Sequence, residues 1–517
     1  MGFPPLLGPY KVAFADFELR PGAKLPKREV PVESDYVFVP HEGDVGQEYV
    51  DIQEGGSDRS PSPDQDLEAN ADKGRSPVRT LLSQTSFEED QMRHESESHQ
   101  RSVRASEGKA RPAGEKLASV PGEQKGPAEK GESIPPPLVR FWYPTQEKAN
   151  GSWFLRRWLP GFMYALGFAN VVLWQKTFVK RTLMYMAGAI FHLYAYGISL
   201  PAYAGLQPAS EDKSAKGKFP VVIFSHGLFA MRTTYSAFCC DLASYGYVVI
   251  SLEHRDGTAS ASRYAEVDAE GRITHKYQFL THLGYGKDAM EVRHRQLLHR
   301  VAEVRATLDL ATALDSGLVS LADNVAGTTT FDPAWFKGKL DLSRVSATGH
   351  SFGAATAVTT CGLDSRFKAC VALDCWWEPF GEEEYRRAAG KAPVISVHSE
   401  AFEWANLRAC RERFTAAKRK AGGAIELLTI RGTKHTNQSD FALVATGWLK
   451  LLGKQSDVDP VRVQGVSSRA GLQWIQSNEG IDDGGVVHRC KVVAEDSELL
   501  IHGERSEAAP AARAKGS

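Results

Sequence analysis

The stretch Arg344-Val345-Ser346-Ala347-Thr348-Gly349-His350-Ser351-Phe352-Gly353-Ala354-Ala355-Thr356-Ala357 decides how this chain is read. Small and β-branched residues lead into Gly349, and alanine-rich, helix-favouring sequence follows Gly353. That is the strand–turn–helix context of a nucleophile elbow, G-x-S-x-G. The two glycines flank the serine because the turn is tight, and a Cβ at either would crowd the neighbouring backbone. A turn of this kind lifts the Ser351 hydroxyl clear of a sheet, where a histidine base can reach it. An ordinary glycine-bounded turn is the plainer alternative, and the partners decide between the two.

Working outward, short and nearly continuous apolar runs recur at Lys218–Phe224, Tyr247–Leu252, Ala369–Leu373, Pro393–Val397 and Glu426–Ile430. Runs of this length and composition suit strands covered on both faces. Between them, residues 236–245 have helical spacing and 288–315 form a long amphipathic helix, with 441–452 helical as well. Alternation of strands and helices predicts a doubly wound, mostly parallel sheet with helices on both faces. In such a fold the acid and the histidine follow the nucleophile in that order, at strand ends. Asp374 ends the Val371–Leu373 run and His435 lies in the loop after Ile430. Asp364 and His398 are the competing acid and base; the first sits at a helix end and the second inside a strand, so position favours Asp374 and His435. The backbone N–H groups of Phe352 and of Leu228, after Ser225-His226-Gly227, are the candidate oxyanion donors.

These motifs, taken with the longer runs Phe224-Ser225-His226-Gly227-Leu228, Arg232-Thr233, Tyr235-Ser236, Asp241-Leu242-Ala243-Ser244 and Glu253-His254-Arg255-Asp256, resemble the plasma and intracellular type II platelet-activating factor acetylhydrolases. Gly349–Thr356, Ala372-Leu373-Asp374 and Ile430-Arg431-Gly432 with His435 extend the resemblance, which runs from about residue 9 to about 476 outside one insertion. It implies an α/β-hydrolase fold and calcium-independent cleavage of the sn-2 ester of phospholipids with short or oxidised acyl chains. It also implies Ser351 as nucleophile, His435 as base, Asp374 as acid, and Leu228 and Phe352 as oxyanion donors, with no metal or other cofactor. The family often has a second glycine where Ala354 stands, one residue into the helix, where the change costs little. A general carboxylesterase or lipase is the alternative enzyme, and a silent hydrolase fold acting as a membrane scaffold the alternative of another class.

Size and composition frame this reading. The 517 residues are 42% hydrophobic and carry a net charge of −1, which gives no global signal for nucleic acid. Seven cysteines, at 239, 240, 361, 370, 375, 410 and 490, are odd in number and lack C-x-x-C spacing, so a disulfide scaffold and a zinc site are disfavoured. A reducing, cytoplasmic setting is expected. Met1–Leu19 has no secretory pattern, and Leu6 stands where a myristoylation motif needs Ser or Thr.

The domain layout follows. Residues 1–40 belong to the hydrolase domain, with a strand near 10–19. Residues 41–133 are an acidic, Ser/Pro-rich insertion, with nine acids and one arginine between 41 and 70. The insertion is expected to be disordered, since it offers too little apolar surface to offset its ordering entropy. If strand 10–19 pairs with the run 136–144, the insertion sits in a hairpin loop, and its length costs only about 2 kcal/mol by logarithmic closure. Deleting 45–130 is then expected to change little. Residues 134–480 are the catalytic domain and 481–517 a flexible tail. Within the domain, 153–205 holds two apolar runs with basic residues around them, readable as cap helices, an interfacial surface or a transmembrane pair. The resemblance favours the interfacial reading, with Trp158 and Phe162 as docking residues on a lipid surface.

Overall fold

A computed structural model of the chain describes residues 3–23, 25, 49–50, 92–93, 95–97, 100, 134, 136–147, 157–173, 178–209, 218–283, 289–327, 331–388, 390, 392–446, 456–479 and 494–503. The strands are β1 (Lys11–Phe17), β2 (Tyr49–Val50), β3 (Val139–Thr145), β4 (Tyr203–Ala204), β5 (Phe219–Ser225), β6 (Val248–Leu252), β7 (Ala261–Val267), β8 (Ile273–Phe279), β9 (Leu340–His350), β10 (Phe367–Leu373), β11 (Val394–Ser399), β12 (Ile425–Ile430) and β13 (Leu500–His502). Ten of them form one sheet in the order β13-β12-β11-β10-β9-β5-β6-β3-β1-β4. The six central strands, β12 through β6, are parallel. They are buried along most of their length, as their apolar runs require. Strand order reverses at β5, whose neighbours are β6 on one side and β9 on the other, and the crevice at such a switch point is where doubly wound sheets bind ligands.

The principal helices are α1 (Phe162–Leu173), α2 (Phe178–Tyr196), α3 (Ser236–Ser244), α4 (Ala289–Asp315), α5 (Phe352–Leu363), α6 (Glu382–Ala388), α7 (Ala405–Lys420), α8 (Phe441–Val444) and α9 (Pro460–Glu479). The large, mostly parallel sheet with helices expected from the alternating pattern is present. Strand β1 pairs antiparallel with β3 in a register from Lys11↔Thr145 to Phe17↔Val139, so the insertion does leave and re-enter the sheet at a hairpin. The hairpin β7–β8, with β2 at its edge, and the helix α9 were not read from the sequence.

Three expectations need amendment. Most of 41–133 lies outside the described residues, but those described are ordered parts of the fold. Tyr49–Val50 pairs with β8, and Met92, Glu95 and Ser96 are buried helical residues. Deletion of 45–130 would therefore strip the buried Arg293 guanidinium of its Glu95 carboxylate, 2.8 Å away, and is no longer expected to be silent. Of the 481–517 tail, residues 494–503 are described, and Leu500–His502 adds antiparallel to the sheet edge at β12. Trp158 does not face outward: it is fully buried and donates its indole N–H to Asp440 Oδ2 at 2.9 Å. The outward apolar face is made instead by Phe162, Tyr185, Met186, Ile190 and Leu193. No helix among the described residues is long and apolar enough to cross a membrane.

Asp440 ties these parts together. Its Oδ2 accepts from Ser236 N–H as well as from Trp158, and its Oδ1 accepts from Ala237 N–H, so it closes the first turn of α3 and anchors the segment leading into α1. Asp440→Ala leaves three buried donors without their acceptor and is expected to cost about 3 kcal/mol or more. A urea titration in which the variant unfolds at the wild-type midpoint would contradict that account.

Candidate functional site

Ser351 ends the strand β9 side of the elbow and α5 begins at the next residue. Its backbone has φ 57° and ψ −119°, a left-handed conformation that a non-glycine residue holds only under strain. Gly349 and Gly353 make this possible. A Cβ on Gly353 would stand 2.0 Å from Ser225 O, and one on Gly349 would stand 2.3 Å from Gly353 O. The turn is fixed by Ser351 N–H, which donates to Leu373 O at 2.9 Å, and by Trp376 N–H, which donates to Ser351 O at 3.2 Å.

Asp374 follows β10 directly, with φ 44°, and its N–H donates to Val397 O at 2.8 Å. Its Oδ1 accepts the Ser399 N–H, and its Oδ2 lies 3.1 Å from His435 Nδ1. The His435 ring stacks on Phe402 at 3.8 Å between centroids and lies 4.2 Å from the ring of His350, the residue before Ser351. Ser351, Asp374 and His435 thus follow the carboxyl ends of β9, β10 and β12, three parallel strands of one sheet, and all are buried. The competitors are engaged elsewhere. Asp364 pairs with Arg366 and Arg305, and His398 stands inside β11, where burial pushes its pKa down to about 3.

The expected oxyanion donors flank the same point. Phe352 is the first residue of α5, and a Cβ on Gly227, next to Leu228, would come within 3.2 Å of Ser351 Cβ. Contacts from distant parts of the chain hold this loop. Tyr235 OH accepts from Gly227 N–H at 3.1 Å and lies 2.9 Å from His350 Nδ1. Arg300 donates to His226 O at 2.7 Å, and His254 N–H donates to His226 Nε2 at 3.1 Å. His226 therefore carries its proton on Nδ1, against Gly227 O at 2.7 Å. His254 in turn bridges Ser225 Oγ at 2.7 Å and Glu303 at 2.6 Å. Burial, helped by the Arg300 charge, pushes the His226 pKa down to about 3 and holds His254 well below its ordinary value. Burial beside His435 does the same to His350. His226-Gly227 and His254 stand in motifs legible in the sequence, but the pairing of His254 with Glu303, 49 residues on, carries no such signal.

Above the nucleophile lies Met92, whose sulfur is 3.8 Å from Ser351 Oγ. It stands in the polar run Glu89-Asp90-Gln91-Met92-Arg93-His94, where a lone apolar residue gives no periodicity to read. Donor atoms of His350, Asp374 and His435 lie within 4.8 Å of one another, a set that could in principle hold a metal ion. In this arrangement His435 is bonded to Asp374 and His350 to Tyr235, which suits proton transfer.

Comparison with known proteins follows the same lines. The model of the family "Platelet-activating factor acetylhydrolase, isoform II" matches residues 129–499. A platelet-activating factor acetylhydrolase from Bos taurus is 30% identical over 351 residues, covering 66% of this chain and 72% of its own length. A putative phospholipase A2 from Schizosaccharomyces pombe is 25% identical over 323 residues, covering 54% of this chain and 72% of its own. The solved structure of a ferulic acid esterase from Streptomyces cinnamoneus aligns with a TM-score of 0.44 at 18% identity, covering 71% of this chain and 88% of that one.

The neutral imidazole of His226 makes a stability prediction with a definite sign. The folded state resists protonation down to about pH 3, whereas the unfolded chain takes up a proton near 6.5. Its contribution is present above pH 6.5 and is lost as the pH falls towards 3, by about 1.4 kcal/mol per unit. Urea unfolding of wild type and His226→Asn at pH 6, 5 and 4 isolates this group. The stability difference between them should shrink by about that slope, and a pH-independent difference would refute the assignment.

Proposed function

Because the chain belongs to the platelet-activating factor acetylhydrolase, isoform II, family, we propose that it is a calcium-independent serine esterase acting on the sn-2 short or oxidised acyl ester of phospholipids. The observation that carries this reading is the Asp374–His435 pair set beside a strained Ser351. His435 donates Nδ1–H to Asp374, which leaves Nε2 as the base for the Ser351 hydroxyl. The Ser351 oxygen attacks the ester carbonyl while its proton passes to His435. The oxyanion is met by the N–H groups of Leu228 and Phe352, and each such donor is worth roughly 100-fold to 1,000-fold in rate. His435 then returns the proton to the departing lysophospholipid oxygen. Water, deprotonated by the same imidazole, hydrolyses the acyl-enzyme and restores Ser351. Asp374 stays ionised and holds the imidazole in the tautomer this needs.

The substrate is lipid, and the outer apolar face suits it. Phe162, Tyr185, Met186, Ile190 and Leu193 are exposed on α1 and α2, with Ile190 at 60% and Leu193 at 74%. These helices rest on the segment that follows His435, through Trp158 on Asp440, Phe168 against Phe441, and Tyr194 OH donating to Val444 O. A surface that sinks this face into a membrane brings the mouth of the site to its substrate. Binding by side-chain burial is peripheral and reversible.

Two outcomes are expected. Ser351→Ala and His435→Ala each abolish ester hydrolysis by several orders of magnitude without altering the melting temperature by more than a few degrees. A series of sn-2 acyl phosphatidylcholines should be cleaved with a steep fall in kcat/KM as the acyl chain lengthens; a flat profile would favour a general lipase. Separately, Ile190→Ser with Leu193→Ser should weaken binding to anionic vesicles by about tenfold or more, given about 1.5–3 kcal/mol for each side chain fully buried. Alkaline carbonate should release the wild-type protein, and retention until detergent is added would contradict peripheral binding.

A further inference from the structure

The residues covering Ser351 do more than fill space. Met92, 0% exposed, places its sulfur 3.8 Å from the nucleophile, where the ester carbonyl of any substrate has to sit. Glu95, also 0% exposed, forms a paired bond with Arg293: Nε to Oε2 at 3.0 Å and Nη2 to Oε1 at 2.8 Å. Ser96 donates to Glu378, which also accepts from the indole N–H groups of Trp376 and Trp404. The Arg93 guanidinium lies over the Trp404 ring, 5.8 Å from its centroid. Along the chain from Met92 these residues make four kinds of contact: apolar, cationic over an aromatic face, anionic and hydroxyl.

We propose that Met92, Arg93, Glu95 and Ser96 occupy the phospholipid site as a built-in substrate mimic, and that Arg293 is the group that binds the substrate phosphate once they withdraw. This rests on the esterase reading above. The geometry is what a glycerophospholipid would need. Met92 and Glu95 are three residues apart on a helix, so their side chains share a face about 5–6 Å apart at Cβ. In the lipid, the sn-2 carbonyl and the phosphate are separated by two oxygens and two carbons, a comparable span. A guanidinium already arranged to grip a carboxylate with two N–H groups grips a phosphate in the same way. Arg293 lies in the first turns of α4, and Arg300, two turns along on the same face, donates to His226 O in the oxyanion loop. One helix therefore sets the distance between phosphate and oxyanion. A quaternary ammonium can take the place of Arg93 over Trp404, which makes a phosphocholine headgroup the matching class.

The segment and the substrate exclude each other, since Met92 and an ester cannot both touch Ser351. The full chain is then a restrained enzyme, and weakening the Glu95–Arg293 grip should raise its activity. Glu95→Gln and, independently, Met92→Ala should label Ser351 with a small fluorophosphonate about tenfold faster than wild type. Glu95→Gln should also raise kcat/KM on 1-alkyl-2-acetylglycerophosphocholine. Adding Arg293→Gln to Glu95→Gln should raise KM for that lipid about tenfold relative to 1-alkyl-2-acetylglycerol, which lacks the phosphate. Slower or unchanged labelling in both single variants would show that the segment is a wall of the pocket and overturn the mimicry. An unchanged preference between the two lipids in the double variant would overturn the role of Arg293. Absence of labelling in every protein, wild type included, would defeat the esterase reading itself and this proposal with it.

Discussion

Gly353 passes the end of β5 so closely that a single Cβ would reach within 2.0 Å of Ser225 O, and much of the site is arranged around that contact. It lets α5 start directly beneath the β5 loop, with Phe352 opening the helix and Gly227 close against the Ser351 side chain. The cost is a strained serine backbone and a loop whose polar groups are sealed from water. The molecule meets that cost with a dense set of buried partners: Arg300 on His226 O, Tyr235 on Gly227 N–H, and the Ser225–His254–Glu303 chain. Each imidazole there is held neutral, so the loop gains direction from its hydrogen bonds without adding charge beside a developing oxyanion.

Charge is used differently a few residues away. Arg293, Arg300 and Arg305 repeat along α4 and each is almost wholly buried against a carboxylate: Glu95, Asp256 and Asp364. A buried pair is weak evidence for stability, because desolvation opposes the Coulomb gain, but removing one partner is costly. Two of these carboxylates are fixed by the fold around them. Glu95 belongs to an insertion and can be exchanged for another anion, which is why the same kind of bond is structural at Arg305 and a candidate switch at Arg293.

The parts of this arrangement that were legible in the sequence are those set by short-range pattern. The glycines around Ser351, the apolar runs of the parallel strands and the strand-end positions of Asp374 and His435 each express a local steric or burial rule, and those elements are where the pattern put them. What escaped was set by tertiary contact. Helix α9 buries Gln464, Ser467, Ser468 and Gln476 alongside its apolar residues, so its core face is not marked out by apolar residues alone. Trp158 looked like a surface anchor because its run is apolar, yet a single acceptor, Asp440, 282 residues away, turns it inward. Met92, Glu95 and Ser96 sit in a stretch whose composition argues for disorder. Their order comes from a groove built by residues 198 to 282 positions further on.

Strand β1 lies before the insertion and β3 after it, yet what joins them is the sheet. Their ladder runs over seven residue pairs, and beneath it Arg140 binds Asp16 through two hydrogen bonds while Arg232 reaches Asp16 and Glu253, all out of contact with solvent. The peptide chain between the two strands is therefore dispensable as a tether. A protease that cut it between residues 25 and 49 would leave two fragments that migrate apart in denaturant but travel as one particle in native buffer. The N-terminal piece would behave as a small, non-covalent subunit of the hydrolase.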